Sequence, residues 1–213
     1  MNFTDFYKRV TKIKNLDLPG EESHFKMEPE IRKDWRDPKK IAERNPKRAA
    51  VMALFYPDKA NATQLLLILR KTYKGVHSNQ IGFPGGKVEP QDSNLKVTAL
   101  RETEEEVGVS PKRIEVLKEL TELYIPPSNF MVQPYLGIYA DPKPFKIQET
   151  EVEEIVEVQL SDFMNEDNLI SQNLTTSYAT NMKVPAFKLN GYVVWGATAM
   201  MLSEIKVLLK QVL

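Results

Sequence analysis

The stretch GFPGGKVEPQDSNLKVTALRETEEEVGV, residues 82–109, places a glycine-rich segment directly before a long acidic pattern of helical spacing. Gly85 and Gly86 allow a tight bend and a close approach of backbone, because glycine carries no side chain. The apolar positions that follow predict a helix over 93–107. The stretch therefore predicts a turn that leads straight into a helix.

The ends and the apolar face of this helix can also be predicted. Gly108 is typical of a helix C-terminus, and we expect Ser93 or Asp92 to cap the first turn. The side chains expected to turn toward the core are Ala99, Leu100, Thr103 and Val107.

The second half of the helix concentrates carboxylates. Residues three and four positions apart share a face, so we expect Glu102, Glu105 and Glu106 to project together. Glu102 and Glu106 repel each other as an i,i+4 pair, and the helix dipole disfavours acids near this end. Such a run is often only a solvated acidic face. Its place after the Gly-Gly loop favours a second interpretation, in which hard divalent cations supply the missing positive charge.

The rest of the chain predicts a mostly β middle with helices around it. The predicted strands cover 48–56, 63–71, 114–125, 132–140 and 151–160, followed by a hairpin around Asn190-Gly191 and a helix over 196–212. Helices on both faces of a mixed sheet are the simplest packing of these elements, which makes the fold class α/β (α+β).

The N-terminal residues carry a different pattern. Apolar side chains at helical spacing predict an amphipathic helix over 3–14, and two prolines divide the later part of the segment into short helical pieces. We therefore divide the chain into a helical extension, residues 1–46, and a domain, residues 47–213. The apolar face of the first helix can pack on its own domain or on a second chain, and we favour a homodimer.

Composition excludes several classes of protein. The 213 residues contain 29 Lys+Arg and 29 Asp+Glu, and this balance argues against a nucleic-acid-binding protein. The absence of cysteine excludes disulfides, thiolate metal sites and cysteine nucleophiles. No apolar run approaches the length of a membrane span, and the N-terminus lacks the apolar core of a signal peptide. We therefore expect a cytoplasmic protein without a membrane partner.

Residues 101–109, RETEEEVGV, resemble the second half of the Nudix box, G-x5-E-x7-R-E-U-x-E-E-x-G-U, in which U is aliphatic. Thr103 stands where an aliphatic residue is usual. In the first half, five residues separate Gly86 from Asp92, which replaces the glutamate of the box. Eight residues rather than seven then lead to Arg101. The chain is therefore similar to the Nudix hydrolases.

The longer spacing resembles the coenzyme A pyrophosphatase branch of that family, which also has the upstream pattern L-L-T-x-R-[SA]-x3-R-x3-G-x3-F-P-G-G. The positions that fit this pattern are Leu66, Leu67, Arg70, Phe83, Pro84, Gly85 and Gly86, and those that depart from it are Ile68, Lys71, Gly75 and Asn79. With the later segments SNFMVQPYLGIY and VVWGATAMML, the similarity covers about residues 47–210.

The resemblance implies a Nudix-type α/β/α sandwich around a mixed β-sheet, and hydrolysis of a nucleoside diphosphate linked to another group. It implies Glu102, Glu105 and Glu106 as ligands of Mg²⁺ or Mn²⁺, which neutralise a pyrophosphate and activate water. The implied catalytic set is Glu105, Glu151 and Arg101. Arg101 would orient a neighbouring glutamate, and Glu151 would act as general base or further ligand. A solvated strand end explains Glu151 equally well.

Substrate contacts are expected at the loop. Arg70 is a candidate for a phosphate, although an arginine that ends a strand is often only solvated, and Gly85 and Gly86 would let backbone approach the substrate. Lys71, Lys74 and Lys87 are further candidates for a second phosphate. We expect a structural hydrogen-bonding role for His77 and packing roles for Trp35 and Trp195.

Three functions remain open at this point. The first is divalent-metal-dependent hydrolysis of coenzyme A or its derivatives to 3′,5′-ADP and 4′-phosphopantetheine. The second is the same chemistry on ADP-ribose, NADH or a dinucleoside polyphosphate. The third is a non-catalytic nucleotide-sensing module, against which the three glutamates of the box argue.

Overall fold

The computed structural model describes residues 1–71, 80–174 and 181–213, apart from the side chains at positions 31, 33 and 34. The helices are α1 (Phe3–Val10), α2 (Glu21–Phe25), α3 (Pro38–Glu43), α4 (Leu95–Val107), α5 (Leu160–Met164) and α6 (Gly196–Val212). The strands are β1 (Lys47–Pro57), β2 (Thr63–Arg70), β3 (Ile81–Gly82), β4 (Gly85–Lys87), β5 (Glu115–Glu119), β6 (Leu123–Ile125), β7 (Phe130–Ile138), β8 (Val152–Gln159), β9 (Leu169–Leu174), β10 (Met182–Leu189) and β11 (Tyr192–Trp195).

Most of the strands belong to one mixed sheet, which has the order β3-β2-β1-β7-β5. β4 pairs with β1, β6 with β7 and β8 with β2, and β9, β10 and β11 form a second, antiparallel sheet. β1 and β7 are parallel, whereas the other pairs of the large sheet are antiparallel. The central β1 and β2 are the apolar runs recognised in the sequence.

The side chains of β1 alternate between two cores, as the period of a strand requires. Met52 and Leu54 pack on the face that α4 covers, together with Val107 of that helix. Ala53 and Phe55 pack on the opposite face, in the cluster that includes α1 and α6. The predicted α/β class, with helices on both faces of a mixed sheet, is therefore confirmed.

Helix α4 begins at Leu95, two residues after the predicted start at residue 93, and its N-cap is Asn94. The Asn94 side chain accepts a hydrogen bond from the Val97 amide at 3.0 Å, so the cap is neither Ser93 nor Asp92. Asp92 is unsuited to this role because its carboxylate is engaged elsewhere, as described below. The predicted end is confirmed, since Gly108 adopts a left-handed conformation with φ 73°.

The C-terminal half contains one predicted and one unexpected feature. Asn190 and Gly191 both have positive φ, 49° and 82°, and join β10 to β11 as the predicted hairpin. The neighbouring β9 was not predicted, because its sequence LISQNL has few apolar residues and its side chains are mostly exposed. No helix among the described residues is long and apolar enough to cross a membrane.

The N-terminal extension packs on its own chain. The predicted first helix is present as α1 and a following 3-10 turn, Thr11–Asn15, and it buries Phe3, Phe6, Val10 and Ile13. The ring centroids of Phe6 and Phe55 lie 5.1 Å apart. The apolar face of α1 is thus covered within one chain, and it no longer argues for a homodimer, which stays a prediction.

Polar contacts add to this attachment. The Tyr7 hydroxyl donates to Glu115 at 2.6 Å, and Lys14 pairs with the same carboxylate at 2.8 Å. Buried His24 of α2 lies 3.1 Å from buried Glu204 of α6. The extension therefore shares a core with the domain, although the boundary at residue 46 stays a prediction.

Replacing Phe6 with alanine tests how far the domain depends on the extension. Because Phe6 is fully buried against Phe55, we expect Phe6→Ala to lower the free energy of unfolding by about 3–5 kcal/mol. Urea denaturation measures this loss, and Lys8→Ala on the exposed side of α1 is the control. Equal stabilities of the two variants would contradict a shared core.

Candidate active site

Arg101 is the centre of the polar contacts around α4. Its Nε and Nη2 atoms donate to the two carboxylate oxygens of Asp92 at 3.0 and 2.9 Å. Its Nη1 donates to Glu102 at 3.0 Å and to Glu105 at 2.9 Å, and its Nη2 also donates to the Lys87 carbonyl at 3.1 Å. One guanidinium thus ties two glutamates of the acidic helix to the preceding loop. This geometry suits the orienting role predicted for Arg101.

Asp92 neutralises Arg101, a pairing that the sequence analysis did not predict. Its side chain is 1% exposed and also accepts hydrogen bonds from the Thr98 hydroxyl and the Glu89 amide, both at 2.9 Å. The hydrogen bonds from Arg101 lower the pKa of Asp92 to about 2. The sequence did contain a signal, because a carboxylate stands at the glutamate position of the box. Its distance from Arg101 along the chain hid the contact.

Glu106 is buried, and the three glutamates of the predicted face differ widely in exposure. Its side chain is 1% exposed, whereas that of Glu105 is 54% exposed. Glu106 Oε2 accepts a hydrogen bond from the Gly85 amide at 2.8 Å, and Oε1 lies 3.4 Å from Nη1 of Arg70. The Glu106 side chain faces β4 in the interior, a difference from Glu105 that helical spacing alone does not indicate.

The environment of Glu106 disfavours its charge. Burial raises the pKa of Glu106 to about 7, while Arg70 and the Gly85 amide act in the opposite direction. Among the described residues, Glu106 Oε1 is a buried atom without a hydrogen bond. A carboxylate in this state would be stabilised by an additional positive charge close to Oε1.

Glu102 and Glu151 extend the negative charge of this face. Burial raises the pKa of Glu102, whose side chain is 12% exposed, and Arg101 partly offsets the effect. The Glu151 carboxylate, in the turn before β8, raises the pKa of both Glu102 and Glu106. Glu151 is exposed and reaches these two glutamates through its charge. Glu151 is therefore close enough to both glutamates for its charge to act on them.

A side chain on either glycine of the loop would meet neighbouring atoms of the fold. β4 pairs with β1, with Gly86 opposite Ala50, and a Cβ on Gly85 would overlap the Ala50 carbonyl. A Cβ on Gly86 would lie 2.5 Å from the Glu102 carboxylate. Gly85, with φ 153°, is therefore required for the close pairing of β4 with β1, whereas a side chain at Gly86 would displace the Glu102 carboxylate. Both reasons are additional to any contact with substrate.

A cavity of about 480 Å³ adjoins this loop. Arg70, Gly85, Gly86 and Lys87 line it beside the acidic helix, and Trp195 lines another part. Its described lining includes four basic residues and no acidic one. The basic residues are Arg32, Arg44, Arg70 and Lys87. The cavity therefore has the charge that an anionic ligand needs.

Several other residues singled out in the sequence can now be placed relative to the cavity. Trp35 and Trp195, expected to be packing residues, both line the cavity. Lys71 forms an ion pair with Glu153 at 2.9 Å and is absent from the described lining. Lys74, Gly75, His77 and Asn79 lie outside the described residues.

The residues of this face suit a divalent cation by their chemistry. They offer carboxylate oxygens, which Mg²⁺ and Mn²⁺ prefer, and one of these oxygens is the buried Oε1 of Glu106. In the described part of the chain, no three such side chains are already gathered in the geometry of a metal site. Arg101 and the Gly85 amide hold the carboxylates instead, so ion binding would require these side chains to turn.

Comparison with known proteins identifies the family. Residues 46–181 match the NUDIX domain. A Yersinia enterocolitica protein, "Uncharacterized Nudix hydrolase NudL", is 33% identical over 141 residues, which are 66% of this chain and 71% of that protein. "Nudix hydrolase 22, chloroplastic" of Arabidopsis thaliana is 30% identical over 74% of this chain, which spans about half (53%) of the plant protein.

A solved structure agrees in fold. The crystal structure of a MutT/nudix family protein from Enterococcus faecalis has a TM-score of 0.52 with this chain, at 19% identity. The match covers 78% of this chain and 62% of that one. The chain thus belongs to the NUDIX domain family. It is a pyrophosphohydrolase acting on nucleoside diphosphate derivatives, and enzymes of this family generally need divalent cations.

Replacing Asp92 with asparagine tests the buried pair with Arg101. The pKa of Asp92 is lowered from 3.8 to about 2. Its stabilising effect is therefore complete above pH 3.8 and is lost as the pH falls through about 2. We expect Asp92→Asn to cost about 2 kcal/mol of unfolding free energy at pH 7, and less at pH 3.

Denaturation by urea at the two pH values measures this difference. Asp141→Asn is the matched control, because Asp141 pairs with Arg113 at the surface and such pairs contribute little. A loss for Asp92→Asn no larger than that of the control would contradict the importance assigned to the pair.

Proposed function

We propose that the protein hydrolyses the pyrophosphate bond of coenzyme A or its derivatives, with release of 3′,5′-ADP and 4′-phosphopantetheine. The observation that carries this proposal is the cavity beside the Gly85–Gly86 loop, whose described lining has four cations and no carboxylate. Coenzyme A carries a pyrophosphate and a third phosphate on the ribose, so it requires cations in more than one place.

The apolar part of the lining supports the same substrate. Phe83, Ile125, Phe130 and Trp195 lie along the cavity and offer surface to an adenine ring or to the pantetheine chain. The volume of about 480 Å³ falls in the usual range for small-molecule sites, about 300–1,000 Å³. The upstream residues Leu66, Leu67 and Arg70, which resemble the coenzyme A branch, add sequence support.

In this proposal each part of the site has a distinct task. Arg70 and Lys87 contact the phosphates at the loop, and the backbone of Gly85 and Gly86 lets the pyrophosphate approach. Arg101, held by Asp92, keeps the carboxylates of Glu102 and Glu105 in position. Glu151 accepts the proton of the attacking water or adds a further carboxylate to the ion site.

Glu102, Glu105 and Glu106 are the residues that would hold Mg²⁺ or Mn²⁺. A bound divalent cation would supply charge neutralisation of the pyrophosphate and a lower pKa for a coordinated water. Oε1 of Glu106 supports this assignment, since this buried oxygen has no hydrogen bond among the described residues. Nη1 of Arg70 lies 3.4 Å from this oxygen, so the same guanidinium is close enough to the carboxylates to contact a phosphate held there.

Product analysis tests the substrate. Purified protein is incubated with coenzyme A, ADP-ribose and NADH, with and without Mn²⁺, and the products are separated by chromatography. We expect metal-dependent release of 3′,5′-ADP from coenzyme A at the highest kcat/KM. Preferential cleavage of ADP-ribose or NADH would reject coenzyme A as substrate in favour of the second function.

Replacing Glu106 with glutamine tests the ion site. Since a metal ion supplies several kcal/mol of transition-state stabilisation, we expect Glu106→Gln to lower kcat by at least about a hundredfold. Binding to the folded state alone raises stability, so added Mn²⁺ should raise the Tm of the wild type more than that of Glu106→Gln.

Glu104→Gln is the matched control for this experiment. Glu104 is an exposed glutamate on the same helix and lies outside the predicted ligand set. It should retain both the activity and the Mn²⁺-dependent rise in Tm. An active Glu106→Gln enzyme with an unchanged Mn²⁺ response would remove Glu106 from the ion site.

A further inference from the structure

We propose that residues of the N-terminal extension form one wall of the substrate cavity and determine its specificity. In this wall Arg44 binds the ribose 3′-phosphate of the substrate, and Trp35 positions Arg44. This inference rests on the proposed function, because it names the part of coenzyme A that the wall receives. The family match begins at residue 46, so Trp35 and Arg44 both precede the matched segment.

The wall consists of residues from the extension that face the cavity. Pro29, Arg32, Trp35 and Arg44 line it, together with residues of the domain such as Arg70. The Arg44 guanidinium carbon lies 4.6 Å from the centre of the Trp35 ring. This cation–π contact keeps a long, exposed side chain near the cavity without neutralising its charge.

Contacts with β6 and with the turn that follows it hold the wall in place. Arg32 donates to the Tyr124 carbonyl, and the rings of Trp35 and Tyr124 lie 6.5 Å apart. The Asn129 side chain donates to the Arg44 carbonyl at 2.9 Å and accepts from the Tyr124 hydroxyl at 2.9 Å. The position of Arg44 is therefore set by tertiary contacts on both sides.

The charge of Arg44 is available to a ligand. In the described part of the chain, no carboxylate forms an ion pair with Arg44. Arg70, by contrast, faces Glu106 at 3.4 Å and so marks the end of the cavity where the carboxylates lie. A ligand with its pyrophosphate at Arg70 would still present one more phosphate to a cation elsewhere in the cavity.

Those two cations match the charge pattern of a 3′-phosphorylated nucleotide. The pyrophosphate occupies the end at Arg70 and the Gly-Gly loop, and the ribose phosphate reaches Arg44. An arginine is suited to this contact, because its guanidinium can donate two parallel hydrogen bonds to a phosphate. A nucleotide without the ribose phosphate would leave Arg44 unused.

Kinetics with two matched substrates test the assignment. Coenzyme A and 3′-dephospho-coenzyme A differ only in the ribose phosphate. We expect Arg44→Ala to lower kcat/KM about tenfold for coenzyme A, mainly through KM, with little change for the dephospho compound. Trp35→Leu should produce a smaller loss in the same direction, and Trp35→Phe should restore part of it.

Lys40→Ala is the matched control. Lys40 is an exposed cation on α3, near Arg44 in the chain, and it is not among the described residues that line the cavity. It should leave both substrates unaffected. Equal losses for Arg44→Ala on both substrates, or no loss on either, would overturn the assignment of the 3′-phosphate to Arg44.

Binding without catalysis separates this inference from the proposed function. Calorimetry compares adenosine 3′,5′-bisphosphate with adenosine 5′-phosphate in metal-free buffer. The wild type should prefer the bisphosphate, and Arg44→Ala should lose that preference. If the wild type cleaves no coenzyme A yet shows this preference, the proposed function is wrong, but the assignment of the 3′-phosphate to Arg44 is retained. If it cleaves coenzyme A without any contribution from Arg44, only the assignment of the 3′-phosphate to Arg44 is rejected.

Discussion

The close approach of α4 to β4 is the constraint on which the site depends. Gly85 and Gly86 belong to the strand that lies between β1 and the acidic helix. A Cβ on Gly85 would overlap β1, and one on Gly86 would meet the Glu102 carboxylate. This approach lets the Gly85 amide reach Glu106 and places Glu102 against Gly86. The loop backbone therefore lies against both Glu102 and Glu106, and the burial of each carboxylate determines how strongly it needs a positive partner.

The charges of the site are divided between two regions. Arg101 and Arg70 neutralise part of the acidic face from within the domain, and an ion pair with Asp92 holds Arg101 in position. The adjoining cavity has cations and no carboxylate among its described lining residues. A cation and an anionic substrate placed at this border would each meet the opposite charge. The protein reaches this arrangement with a formal net charge of zero, so composition alone could not reveal it.

The extension contacts the domain in two places, the core and the cavity. Phe3, Phe6, Val10 and Ile13 belong to the core on the face of α6, and this burial fixes the start of the chain. The later part of the extension then reaches the cavity with Trp35 and Arg44. The extension thus contributes to both the core, through the apolar face predicted for its first helix, and the cavity, to which the sequence did not assign it.

The sequence by itself determined the parts of this protein that depend on local spacing. It predicted the α/β class, the helix after the glycine loop, the Asn190-Gly191 hairpin and the resemblance to the Nudix box, because periodicity, turn residues and motif spacing are properties of neighbouring residues. Only the tertiary structure decided the pairing of Asp92 with Arg101, the burial of Glu106 and the contribution of Arg44 to the cavity. These depend on which surfaces meet when α4 packs on β4 and the extension packs on the domain, and helical spacing contains no information about such distant contacts.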